Sequence, residues 1–392
     1  MKKLFVHCAR WVVRMLNALF PKNPRKVFFA SMPDFADNAR AVYEYMSSQK
    51  KYTDFKYVWL VSKDFVAPKN PENVIFLRDI SSGISLGYFR YLWHVFTSKY
   101  LFCTHCHFVE ANPKRQVSVL LWHGTMLKRI CAMNEREMNQ PRKDQYRYFV
   151  SPSNYYVQYF CKSFLCNKAQ VLVTGYPRND FLYEETDILS SLNINREVFN
   201  KIIVYMPTFR TPIGGGYSDS SDSKQMCLDI QNRTSMQMMS DYLSERKTLL
   251  VVKWHPADVR QSIAYNLNNI VFIRNQDLAS IDAQTYHLLH YADALITDYS
   301  SVFCDFLVLD RPIAFDVSDI DSYSDNRGFV FDQPLSYMPG VKLHNENEFK
   351  EFCDEIATGF DSSVNERERL KMIYNDYSDR NNCKRLLEAV GL

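Results

Sequence analysis

Ala294-Leu295-Ile296-Thr297-Asp298-Tyr299-Ser300-Ser301-Val302-Phe303-Cys304-Asp305 begins as an apolar run and stops abruptly at Thr-Asp. It resumes with apolar residues at Phe303, Phe306 and Leu307. The pattern predicts a buried strand, a short turn and a helix start. In an open α/β sheet, ligands sit outside the carboxyl ends of the strands. Ser300 and Ser301 bring two hydroxyls to that place, beside the free N–H donors of a helix N-terminus, a set suited to phosphate or pyrophosphate. Alone, the two serines would equally be ordinary helix caps. Asp298 and Asp305 flank them and would orient sugar or polyol hydroxyls, or simply cap and pair with cations.

Upstream, the chain repeats this strand-then-polar arrangement. Candidate strands are Val27–Ala30, Tyr57–Val61, Val74–Phe76, Tyr100–Cys103, Val117–Leu121, Tyr148–Val150 and Val171–Thr174, with helical segments such as Ala36–Gln49 and Ile84–Ser98 between them. A second series runs through Lys201–Tyr205, Leu249–Lys253, Ile270–Ile273, Ala294–Thr297 and Pro312–Phe315. Two sets of short apolar strands alternating with helices predict an α/β protein of two halves, each with a parallel sheet. The break falls between about residues 185 and 200, giving domains 23–190 and 191–392. Pro212 to Asn232, with Gly214-Gly215-Gly216, reads as a loop beside a site or a surface insertion.

With 46% hydrophobic and 23% charged residues, the chain of 392 residues has the composition of a globular protein. Ten cysteines without a repeating spacing argue for a reducing interior rather than a disulfide framework. The net charge of +3 makes no case for nucleic acid. The charge is uneven, because residues 1–26 carry seven cations and no acid, leaving −4 for the remainder. Residues 2–20 within that segment predict an amphipathic helix. Lys3, His7, Arg10, Arg14 and Asn17 share one face, and Leu4, Phe5, Cys8, Trp11, Val12, Met15, Leu16 and Leu19 the other. Arg10 and Arg14 interrupt it too often for a membrane span. A basic face opposite Trp and Phe suits an anionic membrane surface, so residues 1–22 are expected to form a membrane-surface helix. The plainer alternative is a helix packed on the body of the protein by its apolar face.

Four further strand ends carry groups capable of chemistry. Trp122-His123-Gly124-Thr125 follows Val117–Leu121 and sets an imidazole beside a glycine that lets a substrate approach, a general-base arrangement. Lys253-Trp254-His255-Pro256 repeats it in the second half with a cation and a histidine, suited to a departing phosphate. A cleft between two α/β halves would bring the two histidines face to face. Gly175-Tyr176-Pro177-Arg178-Asn179-Asp180 and Pro207-Thr208-Phe209-Arg210 each put an arginine at a strand end, where its planar fork fits phosphate or holds a domain interface. Cys103, His105, Cys106 and His107 lack a second ligand pair and do not make a zinc site. No metal and no cofactor is expected. Phosphate-loop, dinucleotide-loop and nucleophile-elbow motifs are all missing from the sequence.

These motifs, with Arg327-Gly328-Phe329 and Pro339-Gly340, resemble in their order the CDP-glycerol glycerophosphotransferases, the teichoic-acid primase and polymerase family. The resemblance covers roughly residues 115–345 and implies a GT-B-like fold of two Rossmann-like domains facing a cleft. It implies transfer of glycerol-phosphate or ribitol-phosphate from a CDP-alditol to a hydroxyl of a membrane-linked saccharide or polyol-phosphate, releasing CMP, at the cytoplasmic face of the membrane. On that reading His123 deprotonates the acceptor, and His255 contacts the donor phosphates and assists the leaving CMP. Gly124, Thr125, Met126, Leu127, Arg178, Thr208, Phe209, Arg210, Lys253, Trp254, Asp298, Ser300, Ser301 and Asp305 line the substrates. Met126 stands where the family often has proline. The chain is short beside the polymerases, so the resemblance favours a primase-sized or capsule-assembly member; a homo-oligomer is left open. The alternative reading keeps the fold and makes the protein a nucleotide-sugar glycosyltransferase of cell-surface polysaccharide synthesis.

Overall fold

The computed structural model describes residues 12–68, 73–78, 86–108, 110–134, 145–208, 226–255, 258–321, 323 and 328–392. The first half of the expected N-terminal helix, the glycine triplet, Phe209, Arg210, Pro256 and Arg327 lie outside the described residues. The chain forms two compact units. One comprises Met1–His123, Ile130–Asp180 and Asp379–Leu392; the other Gly124–Arg129 and Phe181–Ser378.

The first unit is built on β1 (Asn23–Ala30), β2 (Lys56–Val61), β3 (Val74–Arg78), β4 (Ser98–Cys103), β5 (Val117–Leu120), β6 (Tyr148–Ser151) and β7 (Val171–Val173). All pairings are parallel, in the order β3-β2-β1-β4-β5-β6-β7. The apolar run Val27-Phe28-Phe29-Ala30 is buried because helices cover both faces of a parallel sheet. Register pairs Phe29 with Trp59 on one side and Phe102 on the other. The three rings stack in a row, with centroids 4.9 and 5.7 Å apart. Helix Asp37–Ser48 lays Ala39, Val42, Tyr43 and Met46 into the same core. Each large apolar side chain buried there contributes about 1.5–3 kcal/mol.

The second unit repeats the winding with β8 (Lys201–Met206), β9 (Thr248–Lys253), β10 (Ile270–Ile273), β11 (Ala294–Thr297), β12 (Ile313–Asp316) and β13 (Val341–Leu343). Their order is β10-β9-β8-β11-β12-β13, again all parallel. In both sheets the order reverses beside the first strand, between β1 and β4 and between β8 and β11. Those are the switch points where strand ends leave a crevice for ligand. The two Rossmann-like sheets are those expected from the apolar runs, with the addition of β13. The expected single cut near residue 190 takes a different form, since Asp379–Leu392 returns to the first unit.

The motif Gly175 to Asp180 accounts for that return. Asp180 accepts the backbone N–H of Asn382 at 3.0 Å, the Asn382 amide at 2.8 Å and the N–H of Cys383 at 2.9 Å. Its carboxyl group thereby occupies the N-terminus of helix Asn382–Ala389, where N–H groups lack intrahelical partners. Gly175 adopts φ +76°, and a Cβ there would stand 2.0 Å from the Asn382 side-chain oxygen. Leu386 and Leu387 then enter the first core. Asp180→Ala strands these buried donors and is expected to cost about 3 kcal/mol, read as a lowered midpoint in urea unfolding. An unchanged midpoint would mean that the apolar face of the tail alone holds it.

Candidate active site

At the end of β5 the chain turns sharply, and Trp122 takes a left-handed conformation, φ 59°, uncommon for a bulky residue. Two groups hold the turn. Asn38 donates to the Trp122 carbonyl at 2.9 Å and accepts the Arg178 backbone N–H at 3.0 Å. The Trp122 ring packs edge-on against Phe164. His123 follows, partly exposed. Its Nδ1 lies 3.2 Å from the carbonyl oxygen of Thr104, the residue just past β4. A carbonyl only accepts, so Nδ1 carries the proton and Nε2 keeps its lone pair.

Burial holds the His123 pKa below the ordinary 6.5; the bond to Thr104 and the charge of Asp37 act against that shift, and Arg178 acts with it. The ring is therefore neutral near pH 7. His105 stacks flat on it, with centroids 4.1 Å apart and planes 2° from parallel. Arg178 is buried, 5% exposed. It pairs with Asp37 at 2.8 Å and donates to the His123 carbonyl at 3.0 Å. The residue expected to meet a phosphate thus braces the backbone that carries the histidine. Asp37, itself at φ 62°, and Asn38 open the helix after β1, so the β1 end joins the β4 and β5 ends around the imidazole. Asp37, Asn38 and Thr104 carry no motif of their own, and their roles come only from the folded arrangement.

The rest of the Trp122 motif lies in the second unit. Thr125, Met126 and Leu127 are buried. Val330 donates its N–H to the Leu127 carbonyl at 2.9 Å, Lys128 bridges to Phe329, and Arg129 donates to the Phe329 carbonyl at 3.1 Å. Lys128 Nζ sits 5.2 Å over the Tyr323 ring.

In the second unit the ends of β8 and β11 are tied across the switch point. Asp298, wholly buried, accepts both the backbone N–H and the hydroxyl of Thr208, at 2.9 and 2.7 Å. Thr297 donates to the Met206 carbonyl at 2.7 Å. Ser300 accepts weakly from the Val302 N–H at 3.4 Å, while Ser301, at the helix start, makes no capping bond. Both serines are partly exposed. Asp305 is buried and takes the Tyr286 hydroxyl at 2.6 Å, so its contacts lie in the core. Trp254 is also a core residue, stacked near Phe272.

Lys253 is 2% exposed, bonded to the Trp254 carbonyl and the Asn275 side chain. Burial lowers its pKa to about 7. His255, two residues on, is partly exposed. Arg260, not singled out in the sequence, grips Asp258 and reaches the Thr208 carbonyl at 3.4 Å. Asp258-x-Arg260, just after the strand-end histidine, was the available signal.

Over residues 12–392 the chain matches the family described as CDP-Glycerol:Poly(glycerophosphate) glycerophosphotransferase. It is 30% identical over 390 residues to a teichoic acid poly(glycerol phosphate) polymerase of Bacillus spizizenii, covering 92% of each. It is 29% identical over 376 residues to a teichoic acid glycerol-phosphate primase of Bacillus subtilis, covering 91% of this chain and 89% of the primase. A teichoic acid ribitol-phosphate primase of Bacillus spizizenii is 24% identical over 407 residues, with 96% and 94% covered.

Among solved structures, the wall teichoic acid polymerase TagF superposes with a TM-score of 0.70 at 20% identity, covering 99% of this chain and 94% of that one. That is a likeness of fold. Length does not separate primase from polymerase as expected: the Bacillus spizizenii polymerase is matched over 92% of its own length, a Bacillus subtilis polymerase over 46%. The chain belongs to the CDP-glycerol:poly(glycerophosphate) glycerophosphotransferase family.

Proposed function

We propose that this protein transfers an alditol-phosphate from a CDP-alditol to the hydroxyl of a teichoic-acid-type acceptor at a membrane surface, with His123 as the base. The observation that carries the reading is the Thr104 carbonyl against His123 Nδ1, 3.2 Å away, which leaves Nε2 as an acceptor on a neutral ring. The acceptor oxygen forms a bond to the β-phosphorus, and the bond from that phosphorus to the bridging oxygen breaks. CMP leaves with the electron pair, and the hydroxyl proton passes to Nε2. The donor pyrophosphate is assigned to the hydroxyls and backbone donors around Ser300 and Ser301, and the departing CMP to His255. Phe209 and Arg210 are retained as donor contacts on the resemblance alone. Glycerol is favoured over ribitol, since the relatives of 29–30% identity are named for glycerol phosphate and the ribitol primase stands at 24%.

The membrane part of the proposal rests on which face of a helix packs. Residues 12–19 are helical, and the residue buried there is polar Asn17. It donates to the Glu110 carbonyl at 2.8 Å and to Gln116 at 2.9 Å. Lys22 bonds back to the Asn17 carbonyl. Val12, Met15, Leu16 and Leu19 stay exposed, Leu19 by 78%. Phe89 and Trp93 on helix Leu86–Thr97 are exposed as well, and Phe20 packs edge-on against Trp93. An apolar face held outward by polar anchors suits insertion into the headgroup region of an anionic cytoplasmic leaflet. No helix among the described residues is long and apolar enough to cross a membrane.

His123→Ala is expected to lower kcat by roughly 10²–10⁴-fold while CDP-glycerol still binds, measured by CMP release and by calorimetry; full activity would remove the base assignment. The base works unprotonated, so activity falls as acid protonates it. With its pKa depressed, the acidic limb of kcat/KM should lie below pH 6.5. Leu16→Glu with Leu19→Glu should reduce sedimentation with phosphatidylglycerol vesicles by tenfold or more, about 1.4 kcal/mol. Unchanged partitioning would put the membrane contact elsewhere.

A further inference from the structure

We propose that His105 is a positioning residue for the base, a flat neutral partner that fixes the plane of the His123 ring and receives the positive charge it acquires. The proposal rests on reading His123 as the base. The two imidazoles are 4.1 Å apart and parallel to within 2°, and Trp122 crowds His123 at 4.0 Å. A single residue holds both rings. The Thr104 carbonyl takes the Nδ1 proton of His123, while its hydroxyl is 2.9 Å from Nδ1 of His105. Thr104 is fixed in turn, since its N–H donates to the Ala30 carbonyl and its hydroxyl accepts from Met32. The pair thus stands on the ends of β1 and β4, at the switch point of the first sheet.

The hydrogen bond at Nδ1 leaves the ring free to swivel about that bond and so to move Nε2. A face-to-face neighbour removes that freedom. When the acceptor proton arrives, His123 becomes a cation against a π face, an attractive arrangement provided the neighbour is uncharged. Burial and the nearby His123 and His107 press the His105 pKa down to about 3, so it stays neutral wherever the enzyme works. Asp37 and Arg178 are the charged groups acting on His123, and Asp34 acts on the adjoining His107. Cys103, which precedes Thr104, points into the core toward the Tyr146 hydroxyl. The Cys-x-His-Cys-His run is thereby divided, and His105 is directed to the base.

The test compares His105→Ala, His105→Phe and His105→Leu, with CMP release from CDP-glycerol as the readout. His105→Ala is expected to lower kcat by about 10–100-fold, the scale of a misoriented catalytic group. KM for CDP-glycerol should change by less than about twofold. His105→Phe, which keeps a flat face, should recover most of the loss, and His105→Leu, of similar bulk but no π face, should not. The His105→Ala/His123→Ala double variant should be no slower than His123→Ala, because a positioning residue has nothing left to position. Wild-type kcat in His105→Ala, or an additive loss in the double variant, would overturn the proposal. If His123→Ala itself turns over normally, the base assignment has failed on its own account. Should His105→Ala not fold, the contrast between phenylalanine and leucine makes the same decision.

Discussion

Parallel strands covered on both faces meet a ligand only at their ends, and this constraint organises both units. The buried runs Val27 to Ala30 and Leu249 to Val252 have no free face on which to carry chemistry. The polar groups of the candidate site therefore follow strands: Thr104 after β4, His123 after β5, Thr208 after β8 and Asp298 after β11. The reversal of strand order fixes which of these ends become neighbours. Sequential pairing of β4 with β5 sets the Thr104 carbonyl beside the β5 histidine, and the reversal between β8 and β11 sets the β8 threonine against the β11 aspartate. The tie between Thr208 and Asp298 leaves the partly exposed Ser300 and Ser301 as the hydroxyls available just beyond that strand end.

Much of this was readable in the chain because apolar runs of four to six residues, closed by glycine, proline or polar residues, leave few alternatives to buried strands. β13 escaped because it is three residues long with Lys342 at its centre. The return of the tail escaped for a different reason. Asp180 and Asn382 are 202 positions apart, and hydrogen bonds at such separation leave no periodic trace. In the Gly175 motif, arginine suggested a phosphate and the aspartate suggested nothing. In the fold Arg178 braces the His123 backbone and Asp180 fills a helix N-terminus. An arginine at a strand end signals that charge is required there. It does not say whether the charge faces a ligand or a carboxylate of the protein, and Asp37 supplies the latter.

The N-terminal helix marks another limit of periodicity. Helical spacing separates a polar from an apolar face but is silent on which one packs. Ordinarily the apolar face does. Here Asn17 has satisfied buried partners in Gln116 and Glu110, so polar bonding orients the helix and its leucines face outward. A composition rule fails at this point because three hydrogen-bonding groups, 93 to 99 residues away or on Lys22, outweigh it locally.

A carbonyl rather than a carboxylate holds the His123 ring, which bears on its proposed role as base. A buried carboxylate on Nδ1, as in serine-protease triads, stabilises the imidazolium and raises basicity. In the proposed base role, such a partner would favour early protonation. The Thr104 carbonyl fixes the same tautomer without a full charge. Asp37 lies close enough to raise the histidine pKa, but Arg178 pairs with it and pulls the other way. Burial is the largest influence; it outweighs the Thr104 bond and Asp37, and the ring stays neutral.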